Sequence, residues 1–412
     1  MGSELFWWML YLVIFTIILQ KAFAGFKIYI KNANKVSSLN FTEATAFYGY
    51  YTEEHIVVTE DGYVLTMFRI PKGKNCDKEV RTPPVLLMHG LLVSSDAWID
   101  SGPDAGLAYL IADECYDLWI GNVRGNHYSK EHLKYNPKKD PEYWNFTPNE
   151  IGIYDAPALI DYVLNNTDSK TLNYIGYSQG GMMFVIMCSE RPGYCDKVGQ
   201  AILLHPATRM NSTKSVMFRM FTKYYDTVQP YISSASELEA LPQGGILQQL
   251  TDVLCRKDVL ADTICRSILY LIDSSHPGAV SIPTLQALSK HFPAGTSVKG
   301  MSFYNQRLST DRFEKYDHGR DINLKVYGVE KPPAYNIKAV NIPVVIIHGE
   351  SDHLSSPVDV QWLSTQLPNL VELYYVQDPL WNHLDVLYNQ HLKEKMFPKI
   401  KEYLFKNSRK RF

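Results

Sequence analysis

Thr171-Leu172-Asn173-Tyr174-Ile175-Gly176-Tyr177-Ser178-Gln179-Gly180-Gly181-Met182-Met183-Phe184-Val185-Ile186-Met187 decides the fold of this chain. Residues 171–175 read as a short strand and 181–187 as a buried helix, with Gly-x-Ser-x-Gly between them. Strand, sharp turn and helix in that order hold a serine hydroxyl out at the carboxyl end of a sheet. Gly176 and Gly180 let the chain turn where a Cβ would clash. The five-residue pattern is a weak signal by itself; its flanks and the partners found further along give it weight.

Outward from this turn, apolar strands alternate with helical patterns. Upstream, 55–59 and 63–69 flank Asp61-Gly62 and read as a β-hairpin. Val85–Met88 is a strand ending at His89-Gly90, and Tyr116–Ile120 is another ending at Gly121. Ile151–Leu164 has helical spacing, and Ala201–Leu204 reads as the strand after the central helix. Continuous apolar strands with crossover helices predict an α/β fold whose mostly parallel sheet is covered on both faces. The alternation stops after His205-Pro206. Residues 209–320 read mainly as helix, with apolar stripes at Met217, Phe218, Met220, Phe221, Tyr224 and at Ile246, Leu247, Leu250, Val253, Leu254. They predict a helical insert, read as a cap shielding an apolar site. Strands resume at 342–347 and 371–376, and a final amphipathic helix covers 390–406.

The chain has 412 residues and 46% hydrophobic content, enough for a large core, and a net charge of −2 with no basic stripe, which argues against nucleic acid as a partner. Leu5–Leu19 is almost wholly apolar and is followed by Ala22-Phe23-Ala24, a small-x-small cleavage pattern. Residues 1–24 therefore read as a secretory signal peptide, although Glu4 stands where a basic region is usual; an uncleaved signal anchor is the alternative. The run falls short of the roughly 20 residues that span a bilayer, and no stable span is expected after cleavage. Domain boundaries follow as 1–24 signal, 25–208 first part of the core, 209–320 cap, and 321–412 second part of the core. Asn40, Asn145, Asn165 and Asn211 each begin an N-x-[ST] sequon; Asn145 lies inside an aromatic motif that favours burial. In an oxidising compartment some cysteines should pair, and Cys188/Cys195 and Cys255/Cys265 are the closest pairs in sequence. Cys115 reads as a free buried thiol on a helical face.

Serine needs a base to take its proton, and the base needs an orienting acid. After a serine at such a turn the chain order is acid, then histidine, each on a loop beyond a strand. Asp352 lies five residues past the apolar strand ending at Ile347, with Glu350 and Asp359 as rivals. His383 follows the last strand, with His391 as its rival inside the final helix. His89 reads as structural. Negative charge developing on a former carbonyl oxygen must meet preorganised N–H donors; these are read as the backbone N–H groups of Leu91 and Gln179. No H-E-x-x-H, paired C-x-x-C or phosphate-cradling glycine loop is present, so no metal or cofactor is expected. Chemistry that needs Asp at the turn, such as epoxide hydrolysis, is excluded by Ser178.

The residues resemble the acid lipase family of gastric, lysosomal and secreted insect lipases. The matching motifs are His89-Gly90-Leu91-Leu92, Leu107-Ala108-Tyr109-Leu110, Gly121-Asn122-Val123-Arg124-Gly125-Asn126 and Tyr143-Trp144-Asn145-Phe146. Tyr154–Ala158, the Ser178 turn, Pro293–Val298 and Asn382-His383-Leu384-Asp385 continue them, so that they span about residues 47–400. The resemblance implies an α/β-hydrolase core with a helical cap, and hydrolysis of triacylglycerols or cholesteryl esters. It implies nucleophile Ser178, acid Asp352, base His383, and oxyanion donors Leu91 and Gln179. It also implies a cap disulfide, a place Cys255/Cys265 occupies; Cys188/Cys195 is outside the family pattern. Tyr177 departs from it too, since the family usually has His there; Tyr is read as leaving the triad logic unchanged while altering the pocket wall or the pH response. The leading expectation is a secreted, glycosylated serine lipase acting on neutral lipid esters at a lipid–water interface, with the lysosome as the alternative location. A carboxylesterase for soluble esters and a non-catalytic lipid-binding protein are the other readings.

Overall fold

The computed structural model describes residues 39–74, 76–232, 238–255 and 259–409; the leader 1–24 and its cleavage point lie outside them. β1 (Glu53–Val58) and β2 (Tyr63–Ile70) form the hairpin, with Gly62 at φ +97° in its turn. β3 (Arg81–Met88), β4 (Tyr116–Gly121), β5 (Glu131–His132), β6 (Leu172–Tyr177) and β7 (Val198–Leu204) follow. β8 (Glu239–Ala240) and β9 (Thr296–Ser297) pair as a small ribbon, and β10 (Val344–His348) and β11 (Leu370–Tyr375) come last. One sheet runs in the order β1-β2-β4-β3-β6-β7-β10-β11, with β5 beside β2. Pairings from β4 to β11 are parallel; those of β2 with β1, β4 and β5 are antiparallel. This is the mostly parallel core of an α/β-hydrolase.

Strand side chains alternate between faces, and both faces here are buried. Leu86, Met88, Tyr174, Leu203 and Ile346 pack into one core with α2 (Ala156–Thr167) and α3 (Gln179–Glu190). Val85, Leu87, Ile175, Ile202 and Ile347 pack into the other with α1 (Leu107–Asp113) and α9 (Phe397–Arg409). Two-sided burial is why these strands read as continuous apolar runs.

The topology places the site. From β3 the chain goes out to β4 and returns to β6 on β3's other side, with Met88 opposite Gly176. The loops after β3 and β6 therefore leave neighbouring strands at the carboxyl edge, where strand order reverses and ligands bind in such sheets. β7 ends at the same edge, and from it rises the insert: α4 (Val216–Ile232), α5 (Ile246–Leu254), α6 (Val259–Ile272), α7 (Ile282–His291) and α8 (Val298–Arg307). β10 then returns to pair beside β7, Val344 opposite Ala201.

Three expectations are corrected. Cys115 is not a free thiol on a helix: α1 stops at Asp113, Cys115 takes φ +66°, and it is disulfide-bonded to Cys76. Cys188–Cys195 and Cys255–Cys265 are bonded as well. Residues 390–406 are not one helix. A short turn Leu392–Lys395 ends at Met396, and α9 starts anew at Phe397 with Pro398 in its first turn, where proline's missing N–H costs nothing. Asn145 is exposed rather than buried, its Oδ1 accepting from Lys299 Nζ at 2.7 Å. Among the described residues no helix is long and apolar enough to cross a membrane.

Candidate active site

Ser178 occupies the turn between β6 and α3 at φ +53° and ψ −111°, a conformation that costs a non-glycine residue energy and persists only when its surroundings enforce it. They do so here. The Ser178 N–H donates to the Leu204 carbonyl of β7 at 2.9 Å, and its own carbonyl accepts from Gly181 and Met182. A Cβ on Gly180 would stand 2.3 Å from the Met88 carbonyl oxygen, and one on Gly176 would stand 2.6 Å from Gly180 backbone. The glycines thus serve close packing of turn against strand.

The loop after β3 abuts the serine: a Cβ on Gly90 would meet Ser178 Cβ at 3.1 Å. His89 organises this loop. Its Nδ1 lies 2.8 Å from the Gly90 carbonyl, and its Nε2 accepts from the Val123 N–H at 3.2 Å. Burial lowers its pKa to about 4, so the ring is neutral near pH 7. Leu91 follows it and lines the cavity beside Ser178. Gln179 is the first residue of α3, where the N–H has no intrahelical acceptor. Its side-chain Oε1 accepts from the Tyr304 hydroxyl of α8 at 2.7 Å.

Asp352, on the loop after β10, and His383, beyond β11, meet directly: His383 Nδ1 lies 2.8 Å from Asp352 Oδ2. Asp352 Oδ1 accepts the N–H groups of Leu354 and Ser355 at 2.8 and 2.7 Å. Burial pushes this carboxyl up, but His383 and His205 outweigh it and hold it well below the usual range, as a carboxylate. Burial acts against charge on His383; the Asp352 carboxylate more than offsets that and raises it. Ser178 and His383 line one cavity and are 7% and 4% exposed. The rivals lie elsewhere. Glu350 and His391 are exposed, and Asp359 is engaged by Arg209 at 2.8 Å and by the Ser212 N–H.

A family model described as "alpha/beta hydrolase fold" matches residues 83–390, and one described as "Partial alpha/beta-hydrolase lipase region" matches 41–102. Lipase 3 of Drosophila melanogaster is 36% identical over 85% of this chain and 89% of its own. Gastric triacylglycerol lipase of Homo sapiens is 33% identical over 87% of this chain and 89% of its own. The chain belongs to the acid lipase family of α/β-hydrolases. A putative lipase from Acinetobacter baumannii shares the fold at a TM-score of 0.51 and 13% identity, covering 92% of this chain and 99% of that one. As a member of this lipase family, the protein is a carboxylic ester hydrolase.

Helices between β7 and β10 line the cavity beside the serine. Phe218 of α4, Ile272 of α6, Phe292 after α7 and Tyr304 of α8 face Ser178 and His383 across a cavity of about 100 Å³. Three further residues also reach the site, Tyr177 from inside the serine motif and Asp273 and His205 from outside any motif. Tyr177 donates its hydroxyl to the His383 carbonyl at 3.1 Å, so it holds the His383 backbone. Asp273, directly after α6, accepts the N–H of His383 at 2.6 Å and of His353 at 2.7 Å. His205 places Nδ1 2.6 Å from Asp352 Oδ2. The one signal in sequence for His205 is its position just past the carboxyl end of an apolar strand. His205, His348 and Asp352 also bring their ligand atoms within 4.8 Å of one another. Two imidazole nitrogens, His205 Nδ1 and His383 Nδ1, already lie within hydrogen-bond distance of the Asp352 oxygen that a cation would use.

Proposed function

We propose that this protein is a secreted serine lipase that hydrolyses neutral lipid esters, triacylglycerols or cholesteryl esters, through an acyl-enzyme on Ser178. The observation that carries the reading is that Ser178 and His383 line one apolar cavity at the topological switch of the sheet, with buried Asp352 hydrogen-bonded to His383 behind it. Ser178 Oγ attacks the ester carbonyl while His383 Nε2 takes its proton. Leu91 and Gln179 N–H groups meet the developing oxyanion; one such donor is worth about 3 kcal/mol. The alcohol leaves with the proton from His383. Water, deprotonated by His383, then attacks the acyl-enzyme and releases the fatty acid. Asp352 fixes the tautomer and stabilises the imidazolium.

Residues 209–320 act as the cap between core segments 25–208 and 321–412. Ligand pockets are usually some 300–1,000 Å³, so a cavity of about 100 Å³ admits a long acyl chain only after the cap moves. The surface of α4 supports an interfacial trigger. Phe218 faces the cavity, while Val216, Met220 and Tyr224, at i, i+4 and i+8, stand 67%, 56% and 43% exposed on its outer side. An apolar outer stripe on a cap helix is suited to a lipid surface. The small cavity favours a second reading, a carboxylesterase for short soluble esters. The apolar leader, three disulfides and the sequons support passage through the secretory pathway, with the lysosome as the other destination.

The test is hydrolysis of emulsified triolein, emulsified cholesteryl oleate and soluble p-nitrophenyl butyrate by the purified mature protein. Ser178→Ala should abolish release from the emulsions while leaving the melting temperature near the parent's. Hydrolysis retained in that variant would sink the assignment, and Ser178-dependent release confined to the butyrate would establish the second reading.

A further inference from the structure

Asp352 is shared. Its Oδ2 lies 2.8 Å from His383 Nδ1 and 2.6 Å from His205 Nδ1, whereas a serine–histidine–acid arrangement requires one imidazole there. His205 directly follows β7, is fully buried and takes φ +50°. His348, closing β10, packs beside it with ring centroids 4.4 Å apart and Nδ1 3.8 Å from the same oxygen. A carboxylate oxygen only accepts, so the proton of His205 is assigned to Nδ1. Its Nε2 has no partner among the described residues. The carboxylate is thus the side-chain polar contact His205 is placed to make.

We propose that His205 is a positioning residue for ester hydrolysis. It locks the Asp352 carboxylate toward His383 and occupies part of the Oδ2 acceptor capacity that would otherwise bind the His383 imidazolium. The proposal rests on the reading of Ser178, His383 and Asp352 as nucleophile, base and acid. With two backbone N–H groups on Oδ1 and two imidazoles on Oδ2, the carboxylate has no free rotation and no spare site. A shared oxygen pairs less strongly with the His383 imidazolium than an unshared one, which keeps His383 in its neutral, basic form to lower pH. The other titratable groups around this oxygen are His348, Asp273 and Asp385; all stay in place in the variants below. Burial lowers the pKa of His205 itself, which agrees with a neutral donor.

The experiment compares pH profiles of kcat/KM for the wild type, His205→Phe and His205→Asn on soluble p-nitrophenyl butyrate. Phe keeps a ring and removes the donor. Asn puts a side-chain N–H near the Nδ1 position and tolerates positive φ. In His205→Phe the acid limb should move up by about half to one pH unit, roughly a three- to tenfold loss below the limb with the plateau kept. His205→Asn should restore the wild-type limb. Independently, proton NMR of the wild type should show a downfield imidazole N–H resonance that is lost in His205→Asn, while those of His383 and of the His276–Asp385 and His291–Asp100 pairs remain. If His205→Phe yields no folded protein, that spectrum and the Asn variant decide. No downfield resonance lost in His205→Asn, an unshifted Phe profile, or equal shifts in both variants would overturn the proposal. Ser178-dependent hydrolysis alongside any of those results leaves the lipase reading standing; hydrolysis by Ser178→Ala overturns that reading itself.

Discussion

Tyr177 stands one residue before Ser178, and its buried hydroxyl reaches the His383 carbonyl, while its ring lies 5.0 Å from the imidazole. The His383 backbone is thus held at its carbonyl by the serine turn and at its amide by Asp273. Removing one partner of a buried hydrogen bond leaves the other unsatisfied, at a cost of about 1–3 kcal/mol. Tyr177→Phe should therefore lower the melting temperature by several degrees. It should also reduce kcat a few-fold on soluble ester, since the carbonyl it releases belongs to His383, the base in the proposed mechanism. An unchanged melting temperature and kcat would show that the hydroxyl has no such role. The motif around Ser178 announced a serine at the carboxyl edge of a sheet. It did not announce the destination of the tyrosine hydroxyl, because His383 lies 206 residues further along.

At the level of elements, legibility followed locality. β6, β7 and β10 could be read because burial on both faces writes an unbroken apolar run into each. The break at Met396 was missed because the apolar stripe continues through Pro398 although the hydrogen bonding cannot. Cys76–Cys115 was missed because its partners are 39 residues apart and Cys115 sits beyond a helix end. Asp273 is the clearest case. It joins the insert to two core loops, 80 and 110 residues away, that carry Asp352 and His383. Ser274 strengthens the junction, donating to the Ser351 carbonyl at 2.7 Å and accepting from Asn382 Nδ2 at 2.9 Å. Asp273→Asn turns one acceptor into a donor facing a backbone N–H. We expect kcat to fall by about tenfold or more through misplacement of His383, the proposed base, with KM within about twofold. Steady-state kinetics on soluble ester check this; a rise in KM with kcat intact would instead assign Asp273 to holding the substrate wall.

Over the whole molecule, buried titratable groups set the response to acid. Burial lowers His89 and His127 to about 4, the Asp96 carboxylate opposing it at both. Burial raises Asp155 to about 6, against the attraction of Arg124, and raises Asp273 to about 7 together with the charge of Asp352. The two sets act in opposite senses. An unfolded histidine takes its proton near 6.5, whereas folded His127 binds none until about 4. Between those values the unfolded chain binds more protons, so stability present above pH 6.5 is lost as the pH falls toward 4. For the raised carboxyls the folded chain binds more protons, so their contribution is full below about 3.8 and is lost as the pH rises through about 6 or 7. A single substitution isolates one member of the balance. His127 packs on Tyr128 with ring centroids 3.9 Å apart, and its Nε2 lies 3.5 Å from Asp96 Oδ2. His127→Phe keeps an aromatic ring there and removes the titration. Relative to wild type, the variant should therefore gain about 2 kcal/mol of unfolding free energy on going from pH 7 to pH 4.5. Denaturant unfolding at the two pH values reads this as a change in the gap between the proteins. A gap independent of pH would mean that His127 takes up its proton in the folded state as readily as in the unfolded one, and that its burial has no part in the acid response.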